Sequence, residues 1–133
     1  MAESRGARPA DVPSGRAPGA VLFVDDSPLA RAAMKRLLGE RGMAVNALGS
    51  LREARAVDAR TFAAALLDLE LDDGLGTEVA AELRKTSPDL PIAFLTGGGP
   101  PAVVEEAQRV GPVFSKTAEV DAAVAWVVAT LAG

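Results

Sequence analysis

Short apolar runs alternate with segments of helical period from residue 20 onward. Each run has the length of a strand, and charged residues appear mainly where a run ends. Strands that are apolar on both faces are typical of parallel sheets that helices cover on both sides. The pattern predicts five buried strands, over residues 20–25, 44–48, 61–68, 90–95 and 112–115.

The segments between these runs carry helix signals. Ser27 before Pro28 is an N-cap followed by proline at the first helical position, and Ser50 with Glu53 has the spacing of a capping box. Because strand and helix alternate five times, the predicted fold class is α/β, a doubly wound parallel sheet with right-handed crossovers. Helices are predicted over residues 28–41, 51–60, 76–85, 100–110 and 118–131.

Residues 1–19 differ from the rest of the chain. They contain three prolines and three glycines and have no apolar period. This composition predicts a disordered N-terminal tail, interpreted as an inert extension, before one domain over residues 20–133.

The composition excludes several kinds of chemistry. The 133-residue chain has no cysteine and no histidine, which excludes disulfides, cysteine-based zinc sites, Ser-His and Cys-His catalysis, and a phosphohistidine carrier. A net charge of −4 argues against a surface for nucleic acid or anionic membrane. No apolar run reaches the roughly 18 residues of a membrane span, and no signal peptide is recognisable, so a cytoplasmic protein is predicted.

Polar side chains follow the predicted strands at the edge where a doubly wound sheet carries its site. The first strand ends in Asp25 and Asp26, and the third ends in Asp68. The fourth ends in Thr96 and the fifth in Lys116. We therefore expect three carboxylates, a hydroxyl and an ammonium group to converge, although they are far apart in sequence.

These groups suit phosphoryl transfer to a carboxylate. Carboxylates packed together require a cation or a proton, and oxygen-only ligands favour Mg²⁺ or Ca²⁺. Lys116 can neutralise a phosphoryl oxygen as a point charge, and the hydroxyl of Thr96 can donate to another. Asp68 beside Mg²⁺, a lysine and a hydroxyl is suited to forming an aspartyl phosphate.

Two competing motifs do not fit. The segment DLELDDGLGTEV begins like a calcium-binding EF-hand loop, but Asp73 stands where that loop needs glycine and Val79 where it needs glutamate. The glycines of TGGGPP lack the lysine and hydroxyl residue of a nucleotide-binding P-loop. A calcium loop and a P-loop are therefore rejected.

Four segments carry the remaining signal: VLFVDDSPLARAAMKRLL, ALLDLELDDGLG, FLTGG and VFSK. Together they resemble the receiver domain of bacterial two-component response regulators over about residues 20–131. The resemblance implies a flavodoxin-like (βα)5 fold with five parallel strands in the order 2-1-3-4-5. It also implies a magnesium-dependent phosphoprotein of a phosphorelay.

Residue by residue, the resemblance implies a role for each acid at the strand ends. Asp68 matches the phosphoacceptor, and Asp26 matches the direct Mg²⁺ ligand. Asp25 matches the acid that assists through water, and Glu70 stands where the family uses a backbone carbonyl on Mg²⁺. Among the other groups, Thr96 matches the hydroxyl residue that moves toward the phosphoryl group when it is present. Lys116 matches the lysine that contacts a phosphoryl oxygen. Residues 72–74 match a turn.

The chain departs from the family pattern at three positions. Thr117 replaces the proline that usually follows the lysine, so a trans peptide bond is expected, and Thr117 can cap the last helix. Val113 occupies the position of the family's switch aromatic, while Phe114 is expected on the opposite face of the strand. Asp72 replaces a proline and adds negative charge near the site.

Each feature also has a purely structural interpretation. Asp25 and Asp26 can be first-turn acids at the positive end of a helix dipole. Lys116 can form a structural ion pair with Asp68 without any phosphorylation. The acids at positions 70, 72 and 73 are interpreted as solvated loop residues.

The final helix is apolar on two sides, which predicts burial on both. Its inward stripe comprises Val120, Val124, Val127, Val128 and Leu131, and its outer side carries Ala118, Ala122, Ala125, Trp126 and Ala129. In the receiver family, helix 4, strand 5 and helix 5 form the usual face for a dimer or target. The alternative is that alanine is simply a good helix former and Trp126 folds against helix 4.

The resulting hypothesis is a stand-alone receiver that is not an enzyme in its own right. A histidine kinase, a phosphotransfer protein or a small phosphodonor phosphorylates Asp68 with Mg²⁺, and a target protein or a second copy reads the helix 4 to helix 5 face. Water then removes the phosphoryl group. The alternatives are a pseudo-receiver that interacts without phosphorylation and, less favoured because no second acid or substrate cap is recognisable, a phosphohydrolase that uses Asp68 covalently.

Overall fold

The computed structural model describes residues 20–133, and the tail predicted over residues 1–19 lies outside them. The strands are β1 Ala20–Val24, β2 Ala44–Leu48, β3 Ala64–Asp68, β4 Glu70–Leu71, β5 Gly74–Leu75, β6 Ile92–Thr96 and β7 Val113–Ser115. Five parallel strands form one sheet in the order β2-β1-β3-β6-β7, which confirms the predicted order of the five buried strands. A short antiparallel pair, β4 with β5, lies outside this sheet.

Helices cover both faces of the sheet. Ser27 caps the first helix by accepting a hydrogen bond from the N–H of Ala30, and Pro28 begins the helix as predicted. None of the described helices is long and apolar enough to cross a membrane. The helices are α1 Pro28–Gly39, α2 Leu51–Ala54, α3 Gly76–Thr86, α4 Pro101–Gln108 and α5 Val120–Ala132.

The second helix is much shorter than the prediction of residues 51–60. The predicted capping box forms only in part: Ser50 accepts from the N–H of Glu53, but Glu53 accepts from the N–H of Gly49 and not from that of Ser50. However, the Asp58 carboxylate accepts from the N–H of Arg60 and begins a 3₁₀ turn over Ala59–Thr61. An aspartate that bonds the local backbone in this way competes with helix continuation.

The core has one layer on each face of the sheet, because successive strand residues point to opposite sides. In β1, Leu22 and Val24 contribute to the layer beneath α2, α3 and α4, whereas Val21 and Phe23 contribute to the layer beneath α1 and α5. All four side chains are essentially inaccessible to solvent. Burial on this scale stabilises the fold by about 1.5–3 kcal/mol for each large side chain.

The beginning of α5 differs from the prediction. Thr117 does not cap this helix: the N-cap position is Glu119, and its side chain makes no capping bond there. Instead, the Ser115 hydroxyl accepts from the N–H groups of Thr117 and Ala118, and Glu119 accepts from the N–H of Ser115. The peptide bond after Lys116 is trans, as expected.

The junction between β3 and α3 is close-packed around Gly76, the first residue of the helix. A methyl group at this position would lie 2.5 Å from the carbonyl oxygen of Asp68 and 3.1 Å from the Cα atom of Leu69. Both neighbours are backbone atoms that cannot rotate away. Gly76 therefore allows α3 to begin directly against the end of β3, where Asp68 lies.

Replacing Gly76 by alanine is expected to lower the free energy of unfolding by about 1–3 kcal/mol, because the methyl group overpacks this junction. Urea unfolding followed by circular dichroism measures the change. Gly39→Ala is the matched control, since nothing lies within 4 Å of its added methyl group, and its effect is expected to stay within about 1 kcal/mol. Equal losses in the two variants would contradict the close approach.

Candidate functional site

Two acids at neighbouring strand ends are buried. Asp68 is the last residue of β3, and Asp25 follows β1 directly. Of the described residues, these two are the charged side chains classed as buried, with 3% and 0% of their surfaces exposed. Because β1 and β3 are adjacent and parallel, their carboxyl ends bring both carboxylates to the same edge of the sheet.

Lys116 supplies the cation between these acids. Its ammonium nitrogen lies 2.9 Å from Oδ2 of Asp25 and 3.1 Å from Oδ2 of Asp68. Its main-chain N–H donates to the carbonyl oxygen of Thr96 at 2.9 Å, which holds the end of β7 beside β6. The predicted meeting of the strand-end acids with Lys116 is therefore observed.

The arrangement of carboxylates fits a divalent cation. Asp25, Asp26 and Asp68 each offer an oxygen, and these three atoms lie within 4.8 Å of one another. The Lys116 contact with Asp25 is an ion pair without hydrogen-bond geometry, so the buried Oδ2 of Asp25 has no hydrogen-bond donor among the described residues. A hard cation with oxygen ligands would satisfy that oxygen and offset the repulsion.

Main-chain N–H groups orient the three carboxylates. The N–H of Ser27 donates to Oδ1 of Asp25 at 2.9 Å, and that of Glu70 donates to Oδ1 of Asp68 at 3.2 Å. The N–H of Asp72 donates to Oδ2 of Asp26 at 2.8 Å across 46 positions of sequence. Each of the three acids is thus held through one of its oxygens.

Thr96 and Glu70 lie at the rim. The Thr96 hydroxyl accepts from the N–H of Gly98 at 3.1 Å, which leaves its O–H proton available for another partner. Gly98 has a φ of 109°, a backbone conformation that side chains disfavour. The carboxylate of Glu70 lies over Gly99, where an added methyl group would come 2.5 Å from it unless this exposed side chain moved aside.

Charge and burial change the pKa values of Asp68 and Lys116. Burial and the negative charge of Asp25 raise the pKa of Asp68 to about 6, although Lys116 and the N–H of Glu70 oppose the rise. Burial alone would lower the pKa of Lys116, but the carboxylates of Asp25 and Asp68 outweigh it and raise that pKa. The ionised form of Asp68 is therefore disfavoured, whereas the protonated form of the neighbouring Lys116 is favoured.

Two residues of the site region were missed by the sequence analysis. Arg31 in α1 donates to the carbonyl oxygen of Asp25 at 2.8 Å and holds the loop after β1. The Asp73 carboxylate, interpreted as a solvated loop acid, accepts from the N–H groups of Leu51 and Arg52 at 2.9 and 3.0 Å. These bonds cap α2 and lower the pKa of Asp73. Contacts between segments so far apart along the chain leave no local pattern in the sequence.

The outer side of α5 is only partly as predicted. Ala118, Ala122, Ala125 and Ala129 are exposed. Trp126 is half-buried and packs against the core layer beneath α1 and α5. Phe114 faces that same layer and Val113 the opposite one, as expected for neighbours in a strand.

Two solved receiver domains have the same fold as this chain. The beryllofluoride-activated NtrC4 receiver domain dimer has a TM-score of 0.75 at 24% identity, with 86% of this chain and 97% of its own chain covered. A CheY-like response regulator receiver domain protein from Methanospirillum hungatei JF-1 has a TM-score of 0.77 at 21% identity, with 87% and 95% covered. These likenesses define a flavodoxin-like fold of the receiver class.

The sequence comparison shows the family. A family model described as the response regulator receiver domain matches residues 21–122, so the chain belongs to the family of response regulator receiver domains, and the resemblance read from its four segments is confirmed.

Two curated relatives extend this finding. The photosynthetic apparatus regulatory protein RegA of Rhodovulum sulfidophilum is 35% identical over 98 residues, which are 73% of this chain and 53% of RegA. The luminescence regulatory protein LuxO of Vibrio campbellii is 34% identical over 90 residues, which are 67% of this chain and 20% of LuxO. The chain thus spans about half, or less, of the length of these relatives.

The pKa of Asp68 predicts a pH dependence of stability in the absence of divalent metal. Because the folded carboxyl titrates near 6 and the unfolded one near its ordinary value, the folded state binds more protons between about pH 4 and 6. The contribution of Asp68 to the free energy of unfolding should therefore fall by about 1–3 kcal/mol as pH rises through that window. Urea unfolding in EDTA at several pH values should show that the free energy of unfolding declines less steeply with pH for Asp68→Asn than for wild type. Parallel curves for the two proteins would refute the raised pKa of Asp68.

Replacing Lys116 by methionine is expected to leave two buried carboxylates without their cation. We expect the free energy of unfolding in EDTA to fall by about 1–3 kcal/mol. This loss is smaller than that for breaking a fully buried ion pair, because the lysine is partly exposed. Adding Mg²⁺ should recover part of the loss, since a second cation then offsets the repulsion. Thermal unfolding with EDTA and with Mg²⁺ measures both effects; Lys85→Met, which removes an exposed lysine paired with Glu82, is the control.

Proposed function

We propose that this domain is a phosphoacceptor of a bacterial two-component system, with Asp68 as the residue that receives the phosphoryl group. The observation that carries the proposal is the Lys116 ammonium, placed between Asp25 and Asp68 at 2.9 and 3.1 Å beside a cluster of three carboxylates. Membership of the receiver family supports signalling by phosphorylation. The donor, target and location are proposals: a histidine kinase or phosphotransfer protein, a target protein or second copy, and the bacterial cytoplasm.

In the proposed reaction, Asp68 acts as the nucleophile. One of its carboxylate oxygens forms a bond to phosphorus as the bond between phosphorus and the donor's leaving atom breaks, and the electron pair of that bond leaves with the donor. The product is an acyl phosphate on Asp68. Reset is hydrolysis: a water oxygen bonds to phosphorus, inorganic phosphate leaves, and the Asp68 carboxylate is regenerated.

The neighbouring residues place charge where the reaction needs it. Asp26, Asp68 and the carbonyl of Glu70 would hold Mg²⁺, with Asp25 assisting through water, and the ion would neutralise the charge of the transferring phosphoryl group. The ammonium group of Lys116 contacts Asp68, and it can shift to contact an oxygen of a phosphoryl group bound there. Thr96 keeps a hydroxyl proton available for a second oxygen.

The proposed output is a change on the face formed by α4, β7 and α5. Thr96 and Lys116 are joined by a main-chain hydrogen bond, so a movement of either one reaches the end of β7 and the start of α5. Exposed alanines on α5 permit close approach of a partner. Because Trp126 is half-buried in the layer beneath this helix, it belongs to the proposed face as a packing residue and as a fluorescent reporter.

The second candidate is a pseudo-receiver that binds a partner without phosphorylation. The observation in its favour is that Lys116 already satisfies Asp68 in a complete ion pair. In addition, Val113 packs in the core layer beneath α4 in place of an aromatic ring, which removes the family's usual switch. Under this reading, the acids and the lysine stabilise the fold alone.

Incubation with acetyl phosphate and Mg²⁺ is expected to add one phosphoryl group, because Asp68 is oriented and its charge can be neutralised. Intact-mass spectrometry measures the gain, and beryllofluoride should change the fluorescence of Trp126 without covalent addition. Asp68→Asn should show neither response. Glu70→Gln is the matched control, because it removes a nearby rim carboxylate while the main-chain groups remain.

A folded wild-type protein that gains no mass and no fluorescence change, and behaves as Asp68→Asn does, would refute the phosphoacceptor and favour the pseudo-receiver. Release of phosphate from added phosphoesters over many turnovers would instead indicate a phosphohydrolase. These outcomes are distinguished in one set of samples by mass, fluorescence and free phosphate.

A further inference from the structure

We propose that Asp72 is a positioning residue for the cation site, acting on Asp26 through its main-chain N–H and on the bound cation through its carboxylate. This inference rests on the proposed function only in that it concerns the same Mg²⁺. It assigns a role to a residue of the turn between β4 and β5, which otherwise has only a structural interpretation.

The first step of the argument is the hydrogen bond between two distant segments. Asp26 begins the loop before α1, and its Oδ2 accepts from the N–H of Asp72 at 2.8 Å. Among the described residues, no hydrogen bond involves the other oxygen of Asp26. The bond thus holds one oxygen and leaves Oδ1 for a cation, as outer partners commonly do for metal-binding carboxylates.

The second step is that the donating N–H is itself held in place. Leu71, the preceding residue, is buried, and β4 pairs with β5. Asp73, the following residue, is anchored by its carboxylate to the first two N–H groups of α2. A turn fixed on both sides of Asp72 presents its N–H in one direction, so Asp26 is oriented before any cation binds.

The third step concerns charge. Covalent geometry keeps the Asp72 carboxylate within about 7 Å of the Asp26 oxygen that its own N–H contacts. It is an exposed side chain, so its effect on a cation is a long-range attraction weakened by solvent and salt. The nearby buried Oδ2 of Asp25 accepts no hydrogen bond, although the Lys116 ammonium lies 2.9 Å from it. The three acids of the cluster have this one lysine between them, so negative charge remains for a cation to offset.

The two contributions can be separated by two substitutions. Asp72→Asn keeps the N–H and removes the charge, whereas Asp72→Pro removes both. Asp89→Asn is the control, because it makes the same charge change at an exposed position just before β6, at the opposite end of that strand from Thr96. Isothermal titration calorimetry with MgCl₂ measures the dissociation constant of each protein, at low and at high ionic strength.

Asp72→Asn is expected to weaken Mg²⁺ binding about three- to tenfold at low salt, and less at high salt. Asp72→Pro is expected to weaken Mg²⁺ binding about 10- to 100-fold, because the orientation of Asp26 is lost. Part of this loss of affinity should persist at high salt. Asp89→Asn should stay within twofold of wild type. Wild-type affinity in both Asp72 variants, or no Mg²⁺ binding by wild type, would overturn the inference.

A separate measurement covers the case in which Asp72→Pro does not fold. Hydrogen exchange of the Asp72 amide should be slow in wild type and faster in Asp26→Ala, which removes the acceptor. An unchanged exchange rate would refute the positioning bond. Mass addition from acetyl phosphate, followed in the same proteins, separates the two proposals: tight Mg²⁺ binding that depends on Asp72, without phosphorylation, would refute the proposed function and leave this inference intact.

Discussion

Electrostatic repulsion between two buried carboxylates is the constraint on which the site depends. Asp25 and Asp68 are brought together by adjacent parallel strands, and burial prevents water from screening them. Lys116 offsets part of this repulsion, yet the pKa of Asp68 is still raised to about 6. A domain in this condition gains stability from any cation that its oxygens can bind, and the proposed product, an acyl phosphate on Asp68, would increase the need for such a cation because the added phosphoryl group is itself anionic. The same repulsion therefore connects folding, metal binding and the proposed chemistry.

The segment from Asp68 to Gly76 connects the proposed phosphoacceptor to the rest of the domain. Asp68 ends a central strand, Gly76 lets α3 begin against it, and the intervening turn reaches two other elements. Through Asp72 the turn contacts the loop before α1, and through Asp73 it caps α2. Much of this region is held by main-chain N–H groups bonded to carboxylates, which are short, charge-assisted interactions. Such bonds explain why an acidic sequence can form an ordered turn instead of a solvated loop.

Particular elements show how far sequence reasoning reaches. The strand order was implied by the resemblance to the receiver family, but the five strands and the strand-end positions of Asp25, Asp68 and Thr96 follow from apolar runs, because a buried parallel strand must be apolar along its whole length. The length of α2 does not, since Asp58 bonds the local backbone and ends it early. The capping of α5 was assigned to Thr117, but Glu119 occupies the N-cap position without a capping bond, and the side chains of Ser115 and Glu119 bond the turn that leads into the helix. Residue roles at the site remain predictions, although the geometry brings the residues together.

The sequence by itself determined the fold class, the family and the set of groups that meet at the carboxyl edge of the sheet. It could do so because strand pattern and strand ends are local properties, and the topology of a doubly wound sheet then places those ends side by side. Only the tertiary structure decided the contacts that join distant segments: Lys116 between two acids, Asp72 on Asp26, Asp73 on α2, and Trp126 in the layer beneath α5. These depend on distances and angles between elements, which no periodicity along a single chain encodes.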